Sequence, residues 1–133
     1  ENLDSVPGAV GINNHEGSAL TENRQAMTFL MPELKSRNLF LLDSMTNPKS
    51  TAFPVAKEFG LRAAKRDVFL DNDSDRPAKI RKQFGELTRV AKQNGKAIGI
   101  GHPHPATLAE LKKWLATIDD EGIEIVPVSA LVK

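Results

Sequence analysis

One stretch of the chain decides the fold: residues 97–105, which read AIGIGHPHP. A short apolar run is followed there by a glycine, by two histidines that alternate with prolines, and then by a pattern of helical spacing. Apolar runs that stop at polar residues just before a helix are typical of parallel strands in wound α/β folds. Such folds build their sites at the C-terminal strand ends. The stretch therefore predicts a β/α unit and marks the position of a site.

The same alternation of short apolar runs and helical patterns continues along the chain. It predicts parallel strands covered by helices, and hence the α/β fold class. The predicted strands are residues 9–12, 39–42, 68–70, 97–100 and 123–126.

Four helices are predicted from apolar residues that recur every three to four positions. Their expected buried faces are Ala26, Phe29, Leu30 and Leu34; Ala52, Val55, Ala56 and Phe59; Ile80, Phe84, Leu87 and Ala91; and Leu108, Leu111, Leu115 and Ile118.

The predicted helix starts depend on capping signals. Thr21 is placed to cap the first helix and Asp75 the third. The fourth helix has two alternative starts. Thr107 and Glu110 have the spacing of a capping box, whereas Pro105 is suited to the first helical turn.

Composition limits the classes of function. With 133 residues, the chain fits a single domain, 1–133, that is smaller than a complete β/α barrel. The 18 basic residues nearly balance the 17 acidic ones, so no net charge favours a nucleic-acid partner. Cysteine is absent, which excludes thiolate metal ligands and disulfides. No apolar run reaches the roughly 18 residues of a membrane span.

Two of the three histidines, His15 and His102, directly follow predicted strands. Imidazole is the commonest metal-binding side chain, so both are candidate metal ligands. For His15, a loop histidine that hydrogen-bonds backbone is an equally good alternative. Pro103 restricts the backbone between the two histidines and could hold His102 in place as a ligand. His104 is expected to point away from His102 and either to support the site or to face solvent.

Two aspartates also follow predicted strands. Asp71 lies at the C-terminal end of the third strand, where a catalytic carboxylate is expected. Asp43 begins the segment Asp43-Ser44-Met45-Thr46, for which a capped turn before the second helix is the alternative interpretation. The acidic run at residues 71–75 lacks the later glycine and terminal glutamate of a calcium loop, so calcium is set aside.

Four segments together resemble the divergent polysaccharide deacetylase family, in the same order and spacing. They are residues 10–18 (VGINNHEGS), 42–46 (LDSMT), 66–71 (RDVFLD) and 100–104 (IGHPH). The resemblance covers essentially the whole chain, and four motifs in register are far more specific than one. It implies a deformed β/α barrel related to sugar-amide deacetylases.

The resemblance also implies a metal-dependent hydrolase that acts on N-acetylated polysaccharide of the bacterial envelope. In such enzymes a divalent metal, with zinc the expected ion, polarises the acetyl carbonyl and activates water. A carboxylate accepts the proton and a histidine protonates the leaving amine. The implied roles are His15 and His102 as metal ligands, His102, Asp71 and Asp43 as catalytic residues, and Asn14, Ser44 and His104 as substrate contacts.

The chain departs from the family pattern at two positions. Glu16 stands where the family commonly has methionine, and Met45 where it has arginine, so substrate contacts are expected to differ. The family's opening strand, with its paired aspartates, and a further histidine-bearing strand are expected to precede residue 1. Another segment or a second chain would then complete the barrel. A periplasmic or other extracytoplasmic location is expected.

Two other classes of function stay open. One is a carbohydrate-binding or envelope-organising module that keeps the fold without catalysis. The other is a metal phosphoesterase, which the absence of a phosphate-cradling glycine loop disfavours. Acetate release, phosphate release, or retention on polysaccharide with neither product distinguishes the three.

Overall fold

The computed structural model describes residues 7–14, 21–46, 48–71 and 76–133. Over these residues the protein is α/β with parallel strand pairs, as the sequence predicts. It divides into two compact units, Glu1–Lys65 with Val128–Lys133, and Arg66–Pro127. A single domain over residues 1–133 stays a prediction.

The first unit contains a parallel sheet of three strands in the order β1-β2-β3. Its final residues lie beside the third strand, where Ala63 and Lys133 exchange backbone hydrogen bonds of 2.9 and 3.2 Å. The elements are β1 (Gly11–Asn14), α1 (Arg24–Ser36), β2 (Phe40–Asp43), α2 (Ala52–Glu58), β3 (Ala63–Lys65) and a 3-10 helix (Val128–Ala130).

The core of the first unit is formed by α1, α2 and the sheet. Helix α1 buries Met27, Met31 and Leu34, and the predicted position of Phe29 in this face is wrong, because Phe29 is 76% exposed. Two overlapping apolar stripes occur in the sequence, and packing against the sheet selects the methionine stripe. The predicted cap Thr21 is also wrong, since Asn23 Oδ1 accepts the hydrogen bond from Ala26 N at 3.1 Å.

Helix α2 confirms its prediction. Ala52, Val55 and Ala56 are buried in the core, and Gly60, with φ of +70°, follows the helix in the left-handed conformation.

The second unit is built on a pair of parallel strands and two helices. Its core cluster joins Val68 and Leu70 to Ile80, Phe84 and Leu87 of the longer helix. The elements are β4 (Val68–Phe69), α3 (Pro77–Asn94), β5 (Gly99–Ile100) and α4 (Pro105–Leu115).

The apolar sequence pattern predicts one helix of the second unit more accurately than the other. Helix α3 buries three of its four predicted residues and ends before Gly95, which has φ of +82°. Its predicted cap, Asp75, lies outside the described residues. Helix α4 begins with Pro105 rather than with a capping box. Its predicted apolar face is confirmed only in part: Ile118 is buried and Leu111 packs against the core, whereas Leu108 and Leu115 are 51% and 43% exposed.

The face that α4 buries carries Thr107 and Glu110 instead. Glu110 is compatible with burial because Arg81 of α3 pairs with both of its carboxylate oxygens, at 3.1 and 2.9 Å, and Lys113 lies 3.4 Å away. Tertiary ion pairing therefore overrides the apolar pattern of this helix.

Two strand predictions differ from the structure. The fifth predicted strand, residues 123–126, is wrong: no described residue forms a strand ladder with it. Ile123 N instead donates to Ile118 O at 3.0 Å and closes the turn after α4. Strand β3 was not predicted, because Ala63–Lys65 lacks β-branched residues and becomes a strand by pairing with Leu41, Leu42 and Asp43.

Two glycine substitutions test this packing. Gly11 lies opposite Phe40 in the β1-β2 pair, and a methyl group there would lie 2.6 Å from Phe40 Cζ. We expect Gly11→Ala to lower the free energy of unfolding by about 1–3 kcal/mol. Gly85, inside α3, has open space around it, so Gly85→Ala should raise that free energy by about 0.5–1 kcal/mol. Urea denaturation measures both, and equal effects would contradict the packing described.

The Glu110 pair predicts a pH dependence. The hydrogen bond from Arg81, with the charges of Arg81 and Lys113, outweighs desolvation and lowers the pKa of Glu110 below its ordinary 4.5. A lowered folded-state pKa stabilises the fold above the unfolded pKa, and that contribution is lost as the pH falls through the lowered value. The stability difference between wild type and Glu110→Gln should therefore be present at neutral pH and disappear in acid.

The control for this measurement is Glu121→Gln. Glu121 pairs with Lys92 at the surface, with both side chains about half exposed, so its removal should change stability little at any pH. A Glu110→Gln difference that persists unchanged in acid would show that Glu110 acts through packing and not through its charge.

Candidate functional site

The candidate site lies where β4 and β5 end. Phe69 and Ile100 are paired in parallel register, and Leu70 N donates to Ile100 O at 2.8 Å. Asp71 follows Phe69 by two residues, and His102 follows Ile100 by two residues. Phe69 and Ile100 are paired, and Asp71 and His102 each follow their strand residue by two positions. The two side chains therefore lie next to each other.

Asp71 and His102 are joined by two hydrogen bonds. Asp71 Oδ1 lies 2.8 Å from His102 Nδ1, and His102 N donates to Asp71 Oδ2 at 2.7 Å. The Asp71 side chain is fully buried, whereas that of His102 is 37% exposed. An ionised carboxylate only accepts hydrogen bonds, so the pairing assigns the proton to Nδ1. The imidazole is thus anchored from the protein side and reaches solvent.

Thr107 completes the support of the carboxylate. Its Oγ1 donates to Asp71 Oδ2 at 2.7 Å, and the residue is buried in the first turn of α4. Three hydrogen bonds therefore converge on the two oxygens of Asp71, from the loop after β5 and from the start of α4.

These contacts determine the charge state of Asp71. Burial raises the pKa of Asp71, but the hydrogen bonds from Thr107 and His102, with the charge of His102, outweigh burial and hold the pKa below its ordinary 3.8. Asp71 is accordingly ionised at neutral pH. It can orient an imidazole, and it is poorly suited to donate a proton.

Two aromatic rings stack on His102. The Phe69 ring lies 6.0 Å away between centroids at 20° between planes, and the His104 ring 5.4 Å away at 30°. The expectation that His104 points away from His102 is therefore wrong. In extended backbone, residues i and i+2 lie on the same side, and the extended conformation of His104 brings the two imidazoles together. The expectation that His104 faces solvent is confirmed, because the residue is exposed.

Asp71, His102 and His104 form a group of possible metal ligands among the described residues. One ligand atom from each lies within 4.8 Å of the others. Imidazole nitrogen and carboxylate oxygen suit zinc at about 2.0–2.2 Å, and two ligands in a tetrahedron then lie roughly 3.3 Å apart. The 2.8 Å distance between Asp71 Oδ1 and His102 Nδ1 is shorter than this ligand–ligand separation, so these two atoms are hydrogen-bonded to each other. The donor set fits a metal bound by the two histidines, with Asp71 holding the first of them.

Asp43 occupies a matching strand end in the first unit, and its contacts are those of a cap. Its carboxylate accepts hydrogen bonds from Met45 N and Ser50 Oγ, both at 2.9 Å, and from Phe53 N at 3.4 Å. Thr51, which precedes α2, makes no capping bond with its side chain. The capped-turn interpretation describes this geometry, and a catalytic role for Asp43 stays a prediction.

The remaining candidates lie in or near β1. Ser44 is fully buried, and its Oγ accepts a hydrogen bond from Asn13 Nδ2 at 2.7 Å. Asn14 pairs with Asp43 in the β1-β2 register. His15 and Glu16 lie outside the described residues. Substrate contact by Asn14 and Ser44, and metal binding by His15, stay predictions.

A model of the family described as divergent polysaccharide deacetylase matches residues 1–132. The chain belongs to the divergent polysaccharide deacetylase family. The resemblance seen in the four sequence motifs is thereby confirmed.

Two curated proteins are similar in sequence to most of the chain. It is 44% identical over 126 residues to an uncharacterised protein of Haemophilus influenzae, covering 95% of the chain and 44% of that protein. It is 42% identical over 130 residues to the uncharacterised protein YibQ of Escherichia coli, covering 98% of the chain and 40% of that protein. The chain thus spans less than half the length of these two curated relatives.

A solved structure is similar to the chain in fold and sequence. The crystal structure of uncharacterised protein ATU2773 from Agrobacterium tumefaciens matches with a TM-score of 0.87 at 32% identity. The match covers 92% of this chain and 50% of that one.

Sequence reasoning missed two members of the site. Thr107 was assigned to a capping box because a threonine three residues before Glu110 fits that pattern. Phe69 was counted only as a strand residue. Their position in the sequence could have identified both residues, since each lies within three residues of a histidine or aspartate that was already a candidate.

Substitution of Thr107 tests the carboxylate network. Thr107→Val keeps the side-chain shape but leaves the buried Asp71 with one donor fewer, so we expect the free energy of unfolding to fall by about 1–3 kcal/mol. Thr107→Ser retains the hydroxyl and should lose less. Urea denaturation of the two variants compares them directly, and a serine variant as unstable as the valine variant would exclude the hydrogen bond as the cause.

Proposed function

We propose that this chain supplies part of the site of a metal-dependent hydrolase that removes acetyl groups from N-acetylated polysaccharide. The observation that carries the proposal is the pairing of fully buried Asp71 with half-exposed His102. Family membership supports it, since the family is described by polysaccharide deacetylation.

In the proposed site, His102 and His104 bind a divalent ion, with zinc the expected metal, and His15 is the further ligand suggested by the sequence motifs. A metal bound there would polarise the acetyl carbonyl and lower the pKa of bound water. Asp71 holds the proton on Nδ1 of His102 and so directs Nε2 toward the ligand position.

The stacked position of His104 and the exposure of His102 suit a large substrate. Both rings lie at the C-terminal end of β5, and His104 is exposed. A polysaccharide chain is the partner we propose for this surface. The bacterial envelope is the proposed source of that substrate, and a location outside the cytoplasm is part of the same proposal.

The complete fold is proposed to be a deformed β/α barrel. The strand pairs of both units are parallel, as in such barrels. No helix among the described residues has the length and apolar character to cross a bilayer.

Acetate release tests the proposal in the whole protein. We expect wild type to release acetate from N-acetylated glucosamine oligomers or peptidoglycan in a zinc-dependent way. His102→Ala should lower kcat by about 100-fold or more and weaken zinc binding by roughly 10-fold or more. Asp71→Asn keeps the shape of the carboxylate and should lower activity by about 10–100-fold.

The matched control is Asp67→Asn. Asp67 precedes β4, as Asp71 follows it, and its Oδ2 accepts a hydrogen bond from Ile98 N at 2.7 Å. If the site lies at the C-terminal strand ends, the control keeps its activity while Asp71→Asn loses it, with circular dichroism confirming folding. Undiminished acetate release by His102→Ala would refute the assignment. Release of phosphate instead, or polysaccharide retention without either product, would establish one of the alternative functions.

A further inference from the structure

We infer that Asn13 is a specificity-determining residue, whose Oδ1 accepts a hydrogen bond from the acetamido N–H of an N-acetylated saccharide. The inference deepens the proposed function and rests on it for the class of ligand. The acetamido group repeats along an N-acetylated polysaccharide, so the sugar that contacts Asn13 does not have to be the sugar that reacts. Binding at Asn13 can therefore be measured without turnover.

Asn13 lies on the face of the first unit's sheet that is opposite to α1 and α2. Ile12 and Leu41 pack into the core that these helices form with the sheet. Successive side chains of a strand point to opposite faces, and Asn13 directly follows Ile12 in β1. Asn13 also pairs with Leu42, the next-to-last residue of β2. It is therefore near the C-terminal edge of the sheet, where β/α folds bind their ligands.

Two hydrogen bonds fix the orientation of the Asn13 amide. Nδ2 donates to Leu42 O at 2.9 Å and to Ser44 Oγ at 2.7 Å. A backbone carbonyl only accepts hydrogen bonds, so the amide atom that faces Leu42 O has to be the nitrogen. Both N–H donors of the amide are used in these two bonds. Oδ1 is thus an acceptor with a defined direction.

The Asn13 amide is anchored on its buried side and accessible on the other. Ser44, which accepts one of the two bonds, is fully buried, whereas Asn13 is exposed. Among the residues that the structure describes, none donates a hydrogen bond to Oδ1. A ligand donor can therefore reach this oxygen. Because the amide is already oriented, little conformational entropy is lost when the ligand binds.

The ligand group that matches this acceptor is one that only donates. The N–H of a secondary amide donates one hydrogen bond and accepts none, whereas a hydroxyl both donates and accepts. Asn13 has no N–H left to offer to a hydroxyl oxygen, since both donate within the protein. In the proposed substrate, the acetamido N–H is the donor-only group. A fixed acceptor discriminates against analogues that lack the donor.

The test compares two ligands in NMR titrations of the whole protein. One is an N-acetylglucosamine oligomer. The other has an ester oxygen in place of each acetamido N–H, which keeps the acetyl group but removes the donor. We expect wild type to bind the amide oligomer about 3–10-fold more tightly, which corresponds to one net hydrogen bond. Equal affinity for the two oligomers, or binding of neither, would overturn the inference.

Substitutions of Asn13 distinguish a ligand contact from a structural role. Asn13→Ala removes the acceptor and should abolish the preference for the amide oligomer. Asn13→Asp loses both donated bonds but keeps an oxygen in place of Oδ1, so it should retain the preference even though the fold is less stable. A purely structural role predicts that both variants lose the preference alike, and that result would contradict the contact, as would a preference that survives in Asn13→Ala.

Circular dichroism checks the folding of each variant. If Asn13→Ala does not fold, Asn13→Ser takes its place, because a serine hydroxyl can still form a hydrogen bond within the loop but does not extend to the position of Oδ1. The same loss of preference is expected for it.

Asn38→Gly is the matched control. Asn38 is an exposed asparagine that precedes β2, at the opposite edge of the same sheet. Its φ of 55° is one that glycine adopts without strain. The variant should keep the wild-type preference for the amide oligomer. Loss of that preference would show that it depends on the sheet as a whole and not on the Asn13 amide.

The same spectra separate the inference from the proposed function, because released acetate has its own methyl resonance. A preference that depends on Asn13, without acetate release, upholds the inference and refutes the proposed deacetylation. Acetate release with a preference that does not depend on Asn13 upholds deacetylation and refutes the inference.

Discussion

A fully buried carboxylate must be paired or hydrogen-bonded, because leaving it bare costs several kcal/mol. Asp71 meets that requirement with three donors, which come from the loop after β5 and from the first turn of α4. The requirement therefore ties the ends of two strands to the start of a helix. The geometry of His102 follows from it, since the imidazole is one of the donors that the carboxylate needs. Stability of the second unit and orientation of its candidate site rest on the same interaction.

Asp43 is the buried aspartate that follows a parallel strand in the first unit. Asp43 is as buried as the Asp71 side chain, yet its described partners are the backbone of Met45 and Phe53 and the hydroxyl of Ser50. Those contacts hold a turn and the start of α2. The described donors of the two aspartates differ. Beside Asp71, a partly exposed imidazole links the buried carboxylate to the protein surface.

Family membership and site geometry support different parts of the functional argument. The match over residues 1–132 identifies the family, and the similarity to the Agrobacterium tumefaciens structure supports the fold. The chain spans half or less of the length of these relatives, so the activity of a whole protein is proposed and not inherited. The local chemistry stands apart from that question. An ionised carboxylate, an oriented imidazole and a second stacked imidazole form a group that can hold a divalent ion and direct one nitrogen toward a ligand.

The sequence by itself determined the α/β class, the family, most helices and the strand ends that carry Asp71 and His102. These features depend on local signals: apolar period, proline and glycine at helix ends, and motifs of contiguous residues. Only the tertiary structure decided which face α4 buries, that residues 123–126 do not pair as a strand, and that Ala63–Lys65 does. It also decided that Thr107 donates to Asp71 and that the Phe69 ring stacks on His102. Each of these features depends on a contact with residues that are distant in sequence. Such contacts do not impose a periodic pattern on the sequence, so the pattern cannot predict them.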